Sequence, residues 1–181
     1  SEDPIVIEVY AKQFAWQARY AGADNTLGLG NVNFIDETNN PIGVDMSDAA
    51  SLDDKPVSEL HLPKGKKVLF KFRSQDVLHS AYMPHFRAQM NCVPGMVTQF
   101  AFTPKYTTEE MRQQSEVMDK TRGINKIRSE KGEDLYEFDY VLLCNKICGA
   151  SHYSMQMKIV VEEEEEYNKW LAEKPTFAEK L

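Results

Sequence analysis

Two cysteines, a histidine and a methionine lie within twelve residues and form the most chemically suggestive segment of the chain. The segment reads Cys144-Asn-Lys-Ile-Cys148-Gly-Ala-Ser-His152-Tyr-Ser-Met155. Thiolate and thioether sulfurs are soft ligands that favour Cu(I), and added imidazole makes Cu(II) acceptable as well. A mononuclear blue copper site uses one cysteine, so the second cysteine allows each thiolate to bridge two coppers. The pattern therefore favours a two-copper centre that exchanges single electrons.

Bridging sulfurs would let two coppers share the charge of one transferred electron. The ligand geometry then changes little between oxidation states, and a rigid loop between two strands would hold both states in one arrangement. A second imidazole must come from elsewhere in the chain. His79 follows Asp76 closely, and carboxylates often orient ligand histidines, although an isolated histidine is more often structural. His61 and His85 are assigned no role.

The same residues are compatible with other sites. Cys144 and Cys148 could form a disulfide, or they could join His152 and Cys92 in a zinc site, since zinc usually takes four nitrogen or sulfur ligands. Met155 by itself is more typical of a core residue. The three cysteines are an odd number, which excludes a complete disulfide framework.

Composition and charge describe an ordinary globular chain. Its 181 residues, 42% hydrophobic and 27% charged, suit one domain with its own core, or two if both are small. The net charge of -7 counts against nucleic-acid binding and suits either a basic protein partner or simple solubility. No stretch approaches the roughly 20 apolar residues that span a bilayer, and no leader pattern is seen. We expect a soluble body, either complete or the exposed part of an anchored protein.

Short alternating segments predict an all-β sandwich or barrel that positions these residues. Strands are expected at Ile5–Tyr10, Phe14–Tyr20, Val32–Ile35, Val57–Leu62, Lys67–Arg73, Val77–Met83, Met96–Phe102, Glu137–Leu143 and Met155–Glu162. The last two lead into Cys144 and out of the His152 loop, so the chemistry would lie in one loop between two strands. Gly22–Asp54 is rich in turn residues and is expected to be loops around one short strand.

Two charged segments break the β pattern. Residues 107–134 carry thirteen charges of nearly balanced sign, and Thr107 with Glu110 offers a capping box, followed by good helix formers up to Gly123. We expect a helical insertion there. Glu162–Lys174 begins with five glutamates and predicts a C-terminal helix whose acidic first turn suits the helix dipole. The predicted organisation is one domain at 1–162, with the insertion at about 107–134, and a helix and tail at 163–181.

The spacing Cys-x-x-x-Cys-Gly-x-x-His-x-x-Met at 144–155 closely resembles the copper loop of cytochrome c oxidase subunit II. Residues 74–80, Ser-Gln-Asp-Val-Leu-His-Ser, are similar to the segment that carries the family's first histidine ligand. Pro94-Gly95 follows at the expected distance, and Gln13-Phe-Ala-Trp16 resembles the family's aromatic stretch. The resemblance covers about Ile5 to Glu162 apart from the insertion, and it implies a cupredoxin-like Greek-key fold.

The resemblance also implies a binuclear copper centre, CuA, with a defined ligand set. The implied ligands are the terminal His79 and Met155, the bridging Cys144 and Cys148, His152 on the second copper, and the backbone carbonyl of Lys146. The implied role is to take single electrons from cytochrome c and pass them to a haem in oxidase subunit I, where oxygen is reduced. Phe14 stands where an electron-accepting tryptophan is common, and we expect electrons to reach the domain through Phe14 or Trp16.

Two departures from the family concern magnesium and the membrane. Lys146 stands where the family usually has Glu, and Asn91 where it usually has Asp, beside a magnesium between subunits. Loss of carboxylate and gain of positive charge argue against magnesium, whereas a main-chain copper ligand at 146 is unaffected. The family's two N-terminal membrane helices are missing here, so we expect a protein anchored in the cell membrane with this domain on the periplasmic or outer side. The copper domain of a nitrous oxide reductase and a copper-delivery or zinc protein are the alternatives.

Overall fold

Alternating apolar residues build two five-stranded β-sheets whose buried faces meet. The computed structural model describes residues 3–151 and 154–180. The strands are β1 (Ile5–Lys12), β2 (Ala15–Tyr20), β3 (Lys55–Val57), β4 (Leu60–Pro63), β5 (Val68–Ser74), β6 (His79–Met83), β7 (Ala88–Cys92), β8 (Thr98–Phe102), β9 (Tyr140–Cys144) and β10 (Gln156–Glu162). In β5 the burial alternates strictly along the strand, as period-two side-chain placement requires.

The first sheet has the order β3-β2-β1-β5-β8 and the second the order β4-β10-β9-β6-β7. Both are mixed, because β1 pairs in parallel with β5 and β10 in parallel with β4, while the other pairs are antiparallel. The core between the sheets includes Ile7 and Phe70 from the first and Leu62, Leu142 and Ile159 from the second, all fully buried. The predicted mostly-β sandwich is thus observed.

Strand pairing brings the candidate ligands to one end of the sandwich. β6 begins at His79 and β9 ends at Cys144, and these antiparallel neighbours pair Ala81 with Cys144. β10 begins one residue after Met155. The first sheet reaches the same end through the two-residue turn between β1 and β2, which contains Gln13 and donates a hydrogen bond from the Gln13 side chain to the Cys148 carbonyl.

Two strand predictions were wrong or incomplete, and one strand was missed. Val32–Phe34 is a 3-10 helix, because the Asn31 side chain accepts a hydrogen bond from the Asn33 N–H and caps it. Val57–Leu62 is interrupted, since β3 pairs with β2 in one sheet and β4 with β10 in the other. Strand β7, at Ala88–Cys92, was not predicted; it pairs with β6.

The residues that the structure describes also form four α-helices. They are α1 (Ala49–Leu52), α2 (Thr108–Arg112), α3 (Ser115–Lys131) and α4 (Glu164–Ala172). The predicted helical insertion is confirmed, as is its capping box, in which Thr107 and Glu110 exchange hydrogen bonds. Gly123 lies inside α3, which continues to a left-handed Gly132, because glycine inside a helix costs only about 1 kcal/mol.

The predicted C-terminal helix is also observed and packs closely on the sandwich. Tyr167 of α4 is buried in the main core, and the Trp170 ring stacks on His61 of β4 with centroids 4.0 Å apart. The division of the chain at 162/163 stays a prediction. None of the helices in the part of the chain that the structure describes combines the length and apolarity needed to cross a membrane.

Candidate metal centre

Three buried side chains from two chain segments converge at one end of the second sheet. His79, Cys144 and Cys148 each place one ligand atom so that all three atoms lie within 4.8 Å of one another. Cys144 Sγ is 3.9 Å from His79 Nδ1 and 3.7 Å from Cys148 Sγ. The cysteines are free, and this sulfur–sulfur separation is well beyond the ~2.05 Å of a disulfide. The two sulfurs are therefore not bonded to each other, and they lie close enough to bind a common metal ion.

Two further atoms of the 144–155 segment, called the metal loop below, complete this arrangement. The Lys146 carbonyl oxygen lies 3.2 Å from Cys144 Sγ, and Met155 Sδ lies 3.7 Å from Cys148 Sγ. Met155 is almost fully buried. Each thiol thus has one additional ligand atom beside it. Of the six ligands implied by the sequence, five come together, and His152 lies outside the described residues.

The ring of His79 is held by a carboxylate. Its Nε2 lies 2.8 Å from Asp76 Oδ1, while Asp76 Oδ2 accepts a 2.7 Å hydrogen bond from the Gln13 N–H. Burial by itself would raise the pKa of Asp76, but hydrogen bonds from Gln13, His79 and Val77 together lower it. In a neutral imidazole that donates from Nε2 to Asp76, Nδ1 is the unprotonated nitrogen, and it lies 3.9 Å from the Cys144 thiol, where a metal ligand is needed. The structure thus supplies the contact that sequence spacing alone could not establish.

Burial keeps the Cys148 thiol protonated in the absence of a cation. Burial raises the pKa of the Cys148 thiol to about 11, and the neighbouring Cys144 thiol adds to the effect. Thiolate is the form that binds metal, so a cation bound here must displace the Cys148 proton. The chemistry of the ligand atoms therefore fits a soft metal.

Cys92 does not join the cluster, although it pairs with His79 between β6 and β7. It is fully buried, and burial raises the pKa of its thiol to about 12. This is the environment of an inert core thiol. A zinc site that uses Cys92 as the fourth ligand is therefore not what the described residues form.

Phe14 and Trp16 lie beside the metal loop with opposite exposure. Phe14 is 37% exposed, and its ring covers Gly149, where an added Cβ would lie 2.6 Å from the ring. Trp16 is buried, and its indole N–H donates to the Met155 carbonyl at 3.3 Å. Its ring centroid is 6.4 Å from that of His79. Phe14 thus lies at the surface beside the metal loop, and Trp16 lies in the interior beside two of the candidate ligands.

The two histidines assigned no role lie outside the cluster. His61 has a carboxylate oxygen at each ring nitrogen, from Glu162 at 2.7 Å and Glu59 at 2.8 Å. His85 is exposed and packs edge-on against Phe138 at 4.8 Å. Neither contributes a ligand atom to the cluster that the described residues form.

Sequence reasoning gave Gln13 no role of its own, yet it contacts both ligand-bearing segments. Its side chain bonds to Cys148 and its backbone N–H to Asp76. The one available signal was its place directly before Phe14 in the aromatic stretch. That signal could not identify the two partners, because each lies more than sixty residues further along the chain.

A mixed-sheet β sandwich with a buried cluster of thiol, imidazole and thioether groups in the loops at one end defines a cupredoxin-like domain. The family described as cytochrome c oxidase subunit II, periplasmic domain, matches residues 5–128. That match covers more than half of the chain, so the chain belongs to this family, as the sequence motifs predicted. It ends before the metal loop, so the loop is identified by its own motif and geometry.

Curated relatives agree with this assignment. The chain is 36% identical over 178 residues to the alternative cytochrome c oxidase subunit 2 of Bradyrhizobium diazoefficiens, covering 97% of this chain and 53% of the relative. It is 23% identical over 170 residues to cytochrome c oxidase subunit 2 of Alkalihalophilus pseudofirmus, covering 94% of this chain and 32% of the relative. The chain thus spans about half the length of the first relative and less of the second.

A solved structure supports the predicted fold. The crystal structure of the periplasmic domain of subunit II of cytochrome oxidase from Bradyrhizobium japonicum matches with a TM-score of 0.56 and 18% identity. The match covers 95% of this chain and 94% of that one. The cupredoxin-like fold class predicted from the sequence is thereby confirmed.

Proposed function

We propose that this domain holds a binuclear copper centre and transfers single electrons as part of subunit II of a haem-copper oxidase. Membership of the subunit II family supports a role in an oxidase, and the convergence of soft ligand atoms supports copper as the metal. The chemistry that such a copper pair supplies when bound is reversible one-electron transfer. The work of the protein is to hold the ligands in one geometry.

Cys144 and Cys148 would bridge the metals, since their sulfurs face each other at 3.7 Å with further ligand atoms on both sides. His79 and Met155 would be terminal ligands, with the Lys146 carbonyl beside Cys144. His152 is proposed as the remaining ligand from the motif alone. Burial of His79, Cys144, Cys148 and Met155 would limit the access of water. The strands on both sides of the metal loop would limit its movement and keep the reorganisation cost of electron transfer small.

The observation that carries the proposal is the position of Met155 Sδ, 3.7 Å from Cys148 Sγ. A structural zinc site is closed by four nitrogen or sulfur ligands from Cys and His. Here a thioether and a main-chain carbonyl lie beside the two thiols and His79. The cluster therefore offers more ligand atoms than the four that one zinc ion needs. The usual zinc ligands are Cys, His, Asp and Glu, whereas a thioether sulfur is a ligand that suits Cu(I).

Electrons would reach the centre through Phe14 and Trp16 and leave toward a haem in subunit I. Phe14 supplies the exposed end of this path and Trp16 the buried end. We propose cytochrome c, or a cytochrome c domain, as the donor and subunit I as the acceptor. In the membrane-bound complex the domain would lie on the periplasmic or outer side. We do not propose magnesium, since the exposed Lys146 and Asn91 offer no carboxylate.

Paramagnetic resonance of the copper-loaded protein tests the proposal. Reconstitution with Cu(II) should give a purple protein whose spectrum shows one electron spread over two copper nuclei. Cys148→Ser should abolish that signal, whereas Cys92→Ser, at the buried thiol outside the cluster, should preserve it. A spectrum from a single copper nucleus, or tight binding of one zinc instead, would exclude a binuclear centre.

The donor can be tested by salt dependence. The net charge of -7 predicts that reduction by a basic cytochrome c slows as ionic strength rises. Stopped-flow reduction of the copper-loaded protein at several salt concentrations measures this. A rate independent of salt would contradict charge-guided docking.

A further inference from the structure

Gln13 connects the two ligand-bearing segments from a third segment of the chain. It lies in the turn between β1 and β2, and its side-chain amide donates a hydrogen bond to the Cys148 carbonyl. Its backbone N–H donates to Asp76 Oδ2 at 2.7 Å, and Asp76 Oδ1 lies 2.8 Å from His79 Nε2. One residue therefore contacts both the metal loop and the carboxylate that holds His79.

These contacts form a closed ring of five residues. From Gln13 the ring passes to Cys148, across 3.7 Å between sulfurs to Cys144, and across 3.9 Å to His79 Nδ1. It returns to Gln13 through Asp76. Because each member has two neighbours in the ring, moving any one of them disturbs two contacts. The spacing of the thiols and the imidazole is thus coupled to the position of Gln13.

The turn that carries Gln13 is firmly attached to the first sheet. Lys12 and Ala15, on either side of the turn, are directly paired between β1 and β2. On the other side, Ala11 pairs with Ser74 of β5, and the Ala11 carbonyl accepts a 2.9 Å hydrogen bond from the next residue, Gln75. A support built on paired strands holds a site more precisely than one built on a free loop.

Gly149 shows how closely the metal loop fits against this turn. A Cβ added at Gly149 would lie 2.8 Å from Gln13 Nε2 and 2.6 Å from the Phe14 ring. Its φ of 151° is also one that residues with a side chain rarely adopt. The Gln13 amide therefore reaches the Cys148 carbonyl only because the next residue has no side chain.

We propose that Gln13 is a positioning residue, which sets the separation of Cys148 from His79 before metal binds. Among the described residues its hydrogen bonds go to the Cys148 carbonyl and to Asp76, so it would act on the metal by placing these groups. The side-chain amide fixes the main chain that carries the Cys148 thiol, and the backbone N–H fixes Asp76 and with it the His79 ring. The identity of the metal rests on the proposed function, whereas the ordering of the thiols does not.

Two variants of the full chain separate the hydrogen bond from packing. Gln13→Met keeps the length of the side chain and removes the amide donor, and Gln13→Ala removes both. Gln99→Ala, at an exposed glutamine on β8, is the matched control. In the metal-free protein the reaction of Cys148 with a thiol reagent should be several-fold faster in both Gln13 variants. Copper affinity should fall by about 10- to 100-fold, the usual cost of losing a partner of a ligand, and the copper hyperfine splitting should change.

The control should match the wild type in every readout. If Gln13→Met also matches the wild type, or if both variants lower only the unfolding midpoint and leave thiol rates, copper affinity and spectra unchanged, the positioning role is wrong. A single-copper spectrum in the wild type would instead overturn the proposed function. In that event the thiol rates of the metal-free variants would still decide on Gln13.

Discussion

Two buried histidines of the second sheet, His61 on β4 and His79 on β6, differ in the groups that their ring nitrogens contact. His79 has a carboxylate at Nε2 and a thiol, 3.9 Å away, at Nδ1. His61 has carboxylates at both nitrogens, and its ring stacks on Trp170. Asp76 therefore orients His79 and leaves one nitrogen for a metal. The two carboxylates around His61 leave none, and the ring instead joins β4 to α4.

The difference shows that burial and a carboxylate partner do not by themselves identify a metal ligand. The two residues differ because one ring nitrogen of His79 contacts no carboxylate and lies near a soft ligand atom. The chain's two tryptophans divide in the same way, since Trp16 lies beside the metal loop and Trp170 beside His61. Fluorescence of Trp16→Phe and Trp170→Phe backgrounds can therefore follow each region separately.

The largest expected effect is on copper binding. His79→Ala removes the only imidazole that the described part of the cluster contains, so the two-copper resonance signal should be lost. His61→Ala should leave that signal unchanged, because its ring nitrogens face only carboxylates. Resonance spectra of both proteins after Cu(II) reconstitution make the comparison. Equal loss in the two variants would contradict the distinction drawn between the histidines.

The free energy of unfolding should instead respond to a change at His61. His61→Ala removes the stacking on Trp170 and both carboxylate contacts from a buried position, and should lower the free energy of unfolding by about 2–4 kcal/mol. Urea unfolding followed by Trp170 fluorescence in the Trp16→Phe background measures this. Glu59→Gln is a milder control, since the Glu59 side chain is partly exposed, and should cost less than about 1 kcal/mol. A loss for His61→Ala no greater than that of this control would contradict a structural role.

A change in the carboxylate at the metal region should weaken copper without abolishing it. Asp76→Asn keeps an oxygen that can accept from His79 Nε2 but removes the negative charge that favours this orientation of the ring. We expect copper affinity to fall by about tenfold, the lower end of the effect of losing such a partner. Competition titration against a copper chelator gives the affinity. Glu59→Gln, the same kind of change beside His61, should leave it unaltered.

The folded state should become more stable as the pH falls, because of Asp54, which contacts the C-terminal segment that follows α4. Asp54 is fully buried, binds Arg19 at 2.7 Å, and accepts the Phe177 N–H on its main-chain carbonyl. Burial, opposed by Arg19, raises the pKa of Asp54 to about 6 from its ordinary 3.8. The folded state thus holds this proton more tightly than the unfolded state. Its contribution to stability is present below about pH 4 and is lost as the pH rises through 6.

Between pH 7 and pH 5 this group should add about 1 kcal/mol to the free energy of unfolding. Asp54→Asn lacks the titrating carboxyl, so its stability should change less with pH over that interval. Urea unfolding of both proteins at pH 5, 6 and 7 measures the two slopes. Parallel slopes would show that Asp54 does not titrate there, and would leave the copper results unaffected.

Much of the fold could be predicted because its signals are local. The alternation in β5, the capping box at Thr107 and the acidic start of α4 each depend on neighbours within a few residues. The helix at Val32–Phe34 was missed because of a local cap from Asn31, whereas the other errors arose where non-local pairing decides. Val57 and Leu60 are three residues apart yet belong to different sheets, and β7 forms only because β6 offers it an edge. The strand propensity of a segment contains no information about which other strand will lie beside it.

The amino-acid sequence by itself determined which ligand chemistry this protein can offer, because two cysteines, a histidine and a methionine at these spacings can share one loop. Only the tertiary structure decided which atoms meet. His79 lies 65 residues from Cys144 in the chain, and Gln13 lies 135 from Cys148. Their separations of a few ångströms are set by strand pairing and by the packing of the two sheets. Such distances depend on the whole sandwich, so no local pattern of residues can specify them.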